Sequence, residues 1–335
     1  MIRAGVIGCG YWGPNIIRNF HYVDNIEVIS VCDKNEKPLK EITRTYPSLK
    51  TFTDYREVTT AKDIDAVAII TPVNTHYEIA KSALENGKHI FVEKPFTATV
   101  REAEELIALA DKKNLKIMVD HTFLFTGAVR KIKELVDANE LGELYYYDST
   151  RVNLGLFQYD VNVIWDLAPH DFSIMDHIIT AEPIGVSAHG IAHFKKECED
   201  LAYVTVYFEE NLIAHFNFNW LSPVKIRKTL MGGKNKMLVW DDIEADEKIK
   251  VYDKGVNIES REGLYDLLVE YRSGDMFSPR VDHKEALRLE VETFSDYIVN
   301  GGDIINDGQA GLRVVKLLEA CGASLKNNGK YIKLK

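Results

Sequence analysis

Three things are scarce in this chain, and each scarcity excludes a class of function. Only four of its 335 residues are cysteine. They stand at Cys9, Cys32, Cys198 and Cys321 without C-x-x-C spacing, so neither a zinc site nor a disulfide scaffold is expected and all four read as reduced. No apolar run is long enough to cross a bilayer, and no basic segment followed by an apolar stretch opens the chain; the expectation is a cytoplasmic protein with no membrane partner. Positive charge is in deficit, with 41 Lys and Arg against 51 Asp and Glu and a formal charge of −10. Nucleic acid needs a basic face and is not an expected partner. An anionic small substrate would require a local basic pocket. The length exceeds what one core usually serves, so two domains are expected.

Glycine is present where it carries meaning. Gly8-Cys9-Gly10-Tyr11-Trp12-Gly13 follows the apolar run Ala4 to Ile7 and precedes Pro14-Asn15-Ile16-Ile17. A bare G-x-G-x-x-G is a weak pattern; a strand before it, a helix after it and an acid about twenty residues on turn it into a dinucleotide site. Gly8 permits the tight turn, Gly10 lets the backbone approach a pyrophosphate, and Gly13 brings the helix close to the strand with its amides facing the anion. The acid is Asp33, which closes the apolar run Ile26 to Cys32. A carboxylate there accepts the adenosine ribose hydroxyls and repels a 2′-phosphate, which favours NAD over NADP; Lys34 alongside moderates that preference.

The first 120 or so residues alternate strand and helix patterns, as a doubly wound parallel sheet requires. A helix is expected over Glu36 to Tyr46, a short strand near Thr51 and a buried strand at Ala66 to Ile70. Thr75 to Asn86 reads as a helix with Thr75 as N-cap and Gly87 as C-cap, followed by a strand at His89 to Val92, a helix over Thr99 to Lys112 and a strand at Lys116 to Val119. Six strands in this order fit a Rossmann domain, assigned to residues 1–122. Residues 123–335 read as an α+β domain for substrate and assembly. A helix over Gly127 to Ala138 is followed by strand patterns at Glu143 to Val152, Ala202 to Phe208, Leu212 to Trp220, Arg227 to Met231, Lys236 to Trp240 and Lys248 to Tyr252, with reversals at Glu210-Asn211 and at Gly232-Gly233 with Asn235. This is the signature of an open, mostly antiparallel sheet. In Leu212 to Trp220 one face carries Leu212, Ala214, Phe216, Phe218 and Trp220. One face should pack on helices, and the aromatic-rich remainder suits burial against another subunit in a dimer or tetramer. The helical stretch Lys284 to Leu325 is expected to pack back on the first domain.

Chemistry in such a fold belongs at the carboxyl ends of the first domain's strands. Glu93-Lys94-Pro95 closes the fifth strand, and proline holds the residue before it in extended geometry, which fixes the Lys94 ammonium as a poised proton or hydroxyl donor. The second constellation is Trp165-Asp166-Leu167-Ala168-Pro169-His170-Asp171. Asp166 is expected as an N-cap because proline belongs in a first turn, and Asp166 and His170, four apart, project to one face. A nearby carboxylate raises imidazole basicity, as removal of an alcohol proton demands. His170 and His177 with Asp166 and Asp176 also offer metal-ligand types, but hydride transfer from an alcohol needs no metal and none is expected.

Together these residues, with Thr71-Pro72, Asn74 and His76 after the fourth strand, resemble the glucose-fructose oxidoreductase and inositol dehydrogenase (Gfo/Idh/MocA) family along essentially the whole chain. The resemblance implies a Rossmann domain plus an open sheet, NAD(P) dependence and oxidation of a sugar or cyclitol hydroxyl. Lys94 would position and help deprotonate the hydroxyl, and His170, steered by Asp166, would be the acid/base. Gly8, Gly10, Tyr11, Trp12, Gly13, Asp33, Lys34, Thr71, Pro72, Asn74, His76, Glu93 and Lys94 would hold the cofactor. The runs Gly10 to Asn15, Arg151 to Gly155, Asn162 to Asp171 and Ser273-Gly274-Asp275 with Pro279 are similar to the nucleotide-sugar branch, the UDP-N-acetylglucosaminuronate 3-dehydrogenases. That branch oxidises the C3 hydroxyl to a 3-keto sugar. Arg151, Asn153, Asn162, His170, Asp171 and Arg272 with Lys94 would then meet the substrate, and Arg280, Lys225 or Arg227 could add counter-charge. Lys284-Glu285-Ala286-Leu287 departs from the branch by having alanine where proline is expected.

Overall fold

The computed structural model describes residues 1–155, 161–196, 198–209, 211–258 and 269–334. Its contacts divide the chain into two compact units. The first takes residues 1–126 and 284–316, and the second takes 127–283 and 317–335. The segment after residue 283 therefore contributes to both units, residues 284–316 to the first and 317–335 to the second.

In the first unit, β1 (Ile2–Ile7), β2 (Ile26–Cys32), β3 (Lys50–Phe52), β4 (Ala66–Ile69), β5 (His89–Glu93) and β6 (Ile117–Asp120) alternate with α1 (Gly13–Tyr22), α2 (Glu36–Thr45), α3 (Arg56–Thr59), α4 (His76–Glu85) and α5 (Val100–Lys113). The strands are all parallel, in the order β3-β2-β1-β4-β5-β6, so the chain reverses its direction of growth between β1 and β4, which is where this topology opens a ligand crevice. β4 and β6 are buried on both faces, which is why they read as unbroken apolar runs. One face packs on α1 and α2, with Phe20, Phe91 and Phe294 in mutual contact; the other packs on α4 and α5. α5 starts with a capping box between Thr99 and Glu102. α4 does not use its expected cap. The Thr75 hydroxyl turns to the Thr71 hydroxyl and the Pro72 carbonyl, because a 3-10 turn over Val73–Thr75 runs straight into the helix.

The second unit holds α6 (Gly127–Asp137), β7 (Leu144–Leu154), α7 (Val163–Ile178), β8 (Pro183–Ile191), β9 (Leu201–Phe208), β10 (Ile213–Asn219), β11 (Leu221–Gly233), β12 (Met237–Asp241), β13 (Ile249–Ile258) and β14 (Val269–Phe277). After α8 (Ala286–Asn300) in the first unit come α9 (Gly308–Lys326) and β15 (Ile332–Lys333). The sheet runs β14-β13-β12-β11-β7-β10-β9-β8-β15. Only its β7–β10 pair is parallel among the described ladders. The chain reverses between β11 and β12 through Gly233 to Lys236, closed by a 3.0 Å bond from the Gly233 amide to the Lys236 carbonyl. Of the other expected reversal, Glu210 lies outside the described residues.

The β10 alternation sorts as its pattern predicts: Ala214, Phe216 and Phe218 are fully buried. Their partner is α7, whose Phe172 ring meets Phe216 at 5.1 Å and Phe218 at 6.1 Å, edge to face. The phenylalanines are thus core residues. The outward face carries Ile213, His215 and Asn217 on β10, Tyr146, Asp148 and Thr150 on β7, and Tyr203 and Thr205 on β9. It is a mixed polar and aromatic surface.

Candidate cofactor and catalytic site

The glycine turn shows three different needs for the same residue type. Gly8 has φ +101°, and a Cβ there would lie 2.1 Å from the Ile70 carbonyl oxygen, so only glycine fits. A Cβ at Gly13 would stand 2.3 Å from the Gly8 carbonyl oxygen, which is the close approach of helix to turn that the motif implies. At Gly10 a Cβ would meet nothing within 4 Å. The space over Gly10 is open. α1 begins there with no side-chain cap and no acid in its first turn, which leaves its amides and positive dipole end to an anion.

Asp33 stands at the end of β2. One carboxylate oxygen accepts the Cys9 amide at 2.8 Å and the other the Asn35 amide at 2.8 Å. This fixes the side chain while leaving lone pairs for two hydroxyls. Lys34 is exposed beside it, and Tyr11 is 92% exposed. These residues fit a dinucleotide: an uncapped helix end for the pyrophosphate, and an anchored acid for the adenosine ribose. Trp12 has a role the sequence did not reveal. Its indole donates to Asp120 Oδ2 at 2.8 Å and ties the glycine turn to the end of β6. Cys9 and Cys32, beneath the turn, are buried, and burial pushes each thiol up to about 12; they stay protonated and unreactive.

At the end of β4, Thr71 and Pro72 lead into the 3-10 turn that carries Asn74. His76 is fully buried. Its Nε2 lies 2.7 Å from the Thr71 carbonyl oxygen and its Nδ1 2.9 Å from that of Pro95. Burial outweighs both carbonyls and holds the imidazole below its ordinary range. His76 therefore joins the end of β4 to the end of β5. The Lys94–Pro95 peptide is cis. The parallel register sets Glu93 abreast of Asp120 on the neighbouring strand. Enclosure by protein and the Asp120 carboxyl push Glu93 well above the usual carboxylate range, against the nearby Lys94 ammonium.

In the second unit, α7 begins earlier than expected. The N-cap is Asn162, whose Oδ1 accepts the Trp165 amide at 3.1 Å; Glu199 braces it, accepting from Asn162 Nδ2 at 2.8 Å and from the Val163 amide at 2.9 Å. Asp166 is thus a first-turn residue and Pro169 sits inside the helix. Asn162, expected at the substrate, has its amide group engaged at both ends. Asp166 accepts the Trp220 indole at 3.1 Å, and His170 follows one turn later on the same face. Arg151 and Asp171, both also expected at the substrate, are 5% and 2% exposed. Arg151 Nε donates to Asp171 Oδ2, and Ser149 Oγ donates to Asp171 Oδ1 at 2.8 Å. The pair is part of the core between β7 and α7. Arg227, abreast of Arg151 in the β11–β7 register, is held below its ordinary range by burial and by Arg151, and sits 3.4 Å from Asp242. Arg272 is on the edge strand β14, its Nε 2.7 Å from Asp253 Oδ1. Three strands separate β14 from β7, so at about 4.8 Å per strand the sheet keeps Arg272 away from Asn153 and Arg151. His177, near the C-terminus of α7, is held down by burial and by Lys133. Among the described residues no group of three or more His, Cys, Asp or Glu is placed to hold a metal ion.

The comparisons with known proteins agree with both units. Residues 2–121 match the model described as an oxidoreductase family with NAD-binding Rossmann fold, and residues 129–237 match the GFO/IDH/MocA C-terminal domain. The chain belongs to the Gfo/Idh/MocA oxidoreductase family. It is 26% identical over 331 residues, 94% of each chain, to the UDP-N-acetylglucosamine 3-dehydrogenase of Acidithiobacillus ferrooxidans. It is also 29% identical over 198 residues to the scyllo-inositol 2-dehydrogenase (NAD(+)) of Bacillus subtilis, covering 56% of this chain and 57% of that one. The solved structure of the Acidithiobacillus enzyme superposes with a TM-score of 0.80 at 23% identity, covering 98% of this chain and 99% of that one. That of GenD2 from gentamicin A biosynthesis, in complex with NAD, superposes at 0.83 and 16%, covering 100% and 96%. Family membership makes this an oxidoreductase whose first unit is an NAD-binding Rossmann domain.

Proposed function

We propose that this family member oxidises a ring hydroxyl of a nucleotide sugar, C3 of a UDP-N-acetyl-hexosamine or its uronate, to the 3-keto sugar. The supporting observation is similarity to a UDP-N-acetylglucosamine 3-dehydrogenase along 94% of both chains, whereas the inositol dehydrogenase relative matches over 56% of this one. NAD, when bound, supplies the hydride acceptor. Asp33 takes the adenosine ribose and the uncapped start of α1 the pyrophosphate. Lys94, fixed at the end of β5, holds and polarises the hydroxyl; His170 receives its proton, with Asp166 orienting the imidazole. The mixed outward face of the second unit's sheet is the proposed assembly surface. The proposed place of action is the cytoplasm; no helix among the described residues is long and apolar enough to cross a membrane.

The test follows absorbance of reduced nicotinamide with UDP-N-acetylglucosamine, its uronate, free sugars and inositols, with a 2-oxo acid added in parallel to recycle bound cofactor. Turnover of a UDP-sugar supports the proposal. Turnover of inositol or a free sugar alone replaces it with the reading that the inositol dehydrogenase relative favours. Lys94→Ala and His170→Ala should each lower turnover about a hundredfold or more with cofactor affinity kept; a near-normal rate removes that residue from the mechanism.

A further inference from the structure

At the carboxyl end of the first unit's sheet three carboxyl groups converge, a feature the proposed chemistry does not use. Glu93 and Asp120 are register partners on parallel strands, which sets them about 4.8 Å apart at the backbone. Glu290 comes to the same place from α8 and is completely buried. Asp120 collects the donors, the Trp12 indole at 2.8 Å and the Thr122 hydroxyl. Glu290 Oε1 accepts Asn306 Nδ2 at 2.8 Å, while its buried Oε2 has no partner in hydrogen-bond geometry; Asp120 and Thr122 are the polar side chains beside this carboxyl. A buried carboxyl oxygen beside an acceptor, with no donor, calls for a proton between them. Burial and Asp120 push Glu290, like Glu93, well above the usual carboxylate range. Among the described residues, the charged or titratable groups that act on this cluster include Lys94, next to Glu93, and His121, whose surroundings include Asp120, Lys94 and Arg313. The His121 ring is 1% exposed and neither nitrogen has a partner among the described residues, so it does not neutralise the cluster.

With Asp33 beyond β2 holding the adenosine ribose and the start of α1 holding the pyrophosphate, the nicotinamide half would be held by the residues at the ends of β4 and β5. That is the position of Glu93. The oxidised ring carries a positive charge and the reduced ring does not, so only the oxidised form favours ionisation of a neighbouring carboxyl.

We propose that Glu93, Asp120 and Glu290 form a shared-proton cluster that senses the redox state of the cofactor, losing a proton when NAD+ binds and keeping it when NADH binds. The proton leaves a carboxyl oxygen of Glu93 and passes to solvent; no electrons change hands. The Trp12 indole fastens the glycine turn to Asp120 and so links the cluster to the turn that would receive the pyrophosphate. The proposal rests on the family's NAD binding and needs no particular sugar.

The test is calorimetric titration of the wild-type protein with NAD+ and with NADH near neutral pH, in buffers of different ionisation enthalpy, so that the proton count is read directly. The expected result is release of up to roughly one proton per NAD+ bound and none for NADH, with the release abolished in Glu93→Gln and reduced in Glu290→Gln. Equal proton counts for the two redox forms in the wild type overturn the proposal and leave cofactor binding standing. Undiminished release in both variants overturns it too, because the proton then comes from elsewhere. Absence of binding heat with either cofactor overturns the cofactor assignment and the proposal with it. The wild-type comparison stands even if a variant fails to fold.

Discussion

Two glycines two residues apart separate folding from binding. Alanine at Gly8 would place a methyl 2.1 Å from a backbone carbonyl at φ +101°, and a backbone oxygen cannot step aside as a flexible side chain can. Gly8→Ala is therefore expected to lower the melting temperature of the cofactor-free protein. Gly10→Ala, with nothing within 4 Å of the added carbon, should melt normally and yet bind NAD weakly, because the methyl occupies the space left for pyrophosphate. Calorimetry and a cofactor titration on both variants check the pair; normal NAD affinity in Gly10→Ala would show that the diphosphate passes elsewhere. A second residue-scale effect comes from His121. Burial holds its imidazole down to about 4, with Lys94 and Arg313 contributing. The unfolded chain takes up a proton near pH 6.5 and the folded protein does so only near 4. Stability from this group is thus present above 6.5 and lost as pH falls through that window, by about 3 kcal/mol in all. His121→Gln should make denaturation midpoints between those limits less dependent on pH than in the wild type.

Elements show where local rules give way. Pro169 was expected to mark a helix start because an interior proline forfeits a backbone bond. In α7 the start is instead fixed one turn earlier by Asn162 and Glu199, and the packing of Phe172 on Phe216 and Phe218 outweighs the lost bond. The same helix carries Asp171 into the core to meet Arg151 from β7. Breaking that pair strands a buried charge, so Asp171→Ala should cost about 3–5 kcal/mol. The double change of Asp171 and Arg151 to apolar residues of similar volume should recover much of the loss. Urea denaturation of the variants measures both; a cost under about 1 kcal/mol for Asp171→Ala would mean that Arg151 reaches solvent on its own.

At the scale of the whole molecule, the two faces of the second unit's sheet predict different consequences for equally aromatic residues. Phe216→Ala empties a site between β10 and α7 and should cost about 3–5 kcal/mol without altering subunit number. Ile213→Asp with Tyr203→Asp, at positions 42% and 43% exposed, should barely change stability and should shift sedimentation toward smaller species if this face joins subunits. Unchanged sedimentation of the double variant would place assembly elsewhere.

Much of this was legible before any coordinates. The G-x-G-x-x-G turn with Asp33, six strand patterns in alternation with helices, and the β10 alternation each depend on near neighbours in sequence, and local spacing determines them. Glu290 could also have been noticed, since Leu287, Glu290, Val291 and Phe294 share one helical stripe and an acid on an apolar stripe asks for a partner. What spacing does not carry is distance between remote segments. Only the tertiary structure set Glu93 beside Asp120 and brought Glu290 to them from nearly 200 residues on in the chain. It also closed Arg151 on Asp171 and sent His76 to two backbone carbonyls. The sequence by itself determined the fold class and the cofactor, because turn geometry and hydrophobic period are local. The use of each charged side chain was decided by tertiary packing, because burial and partnership are properties of the assembled chain.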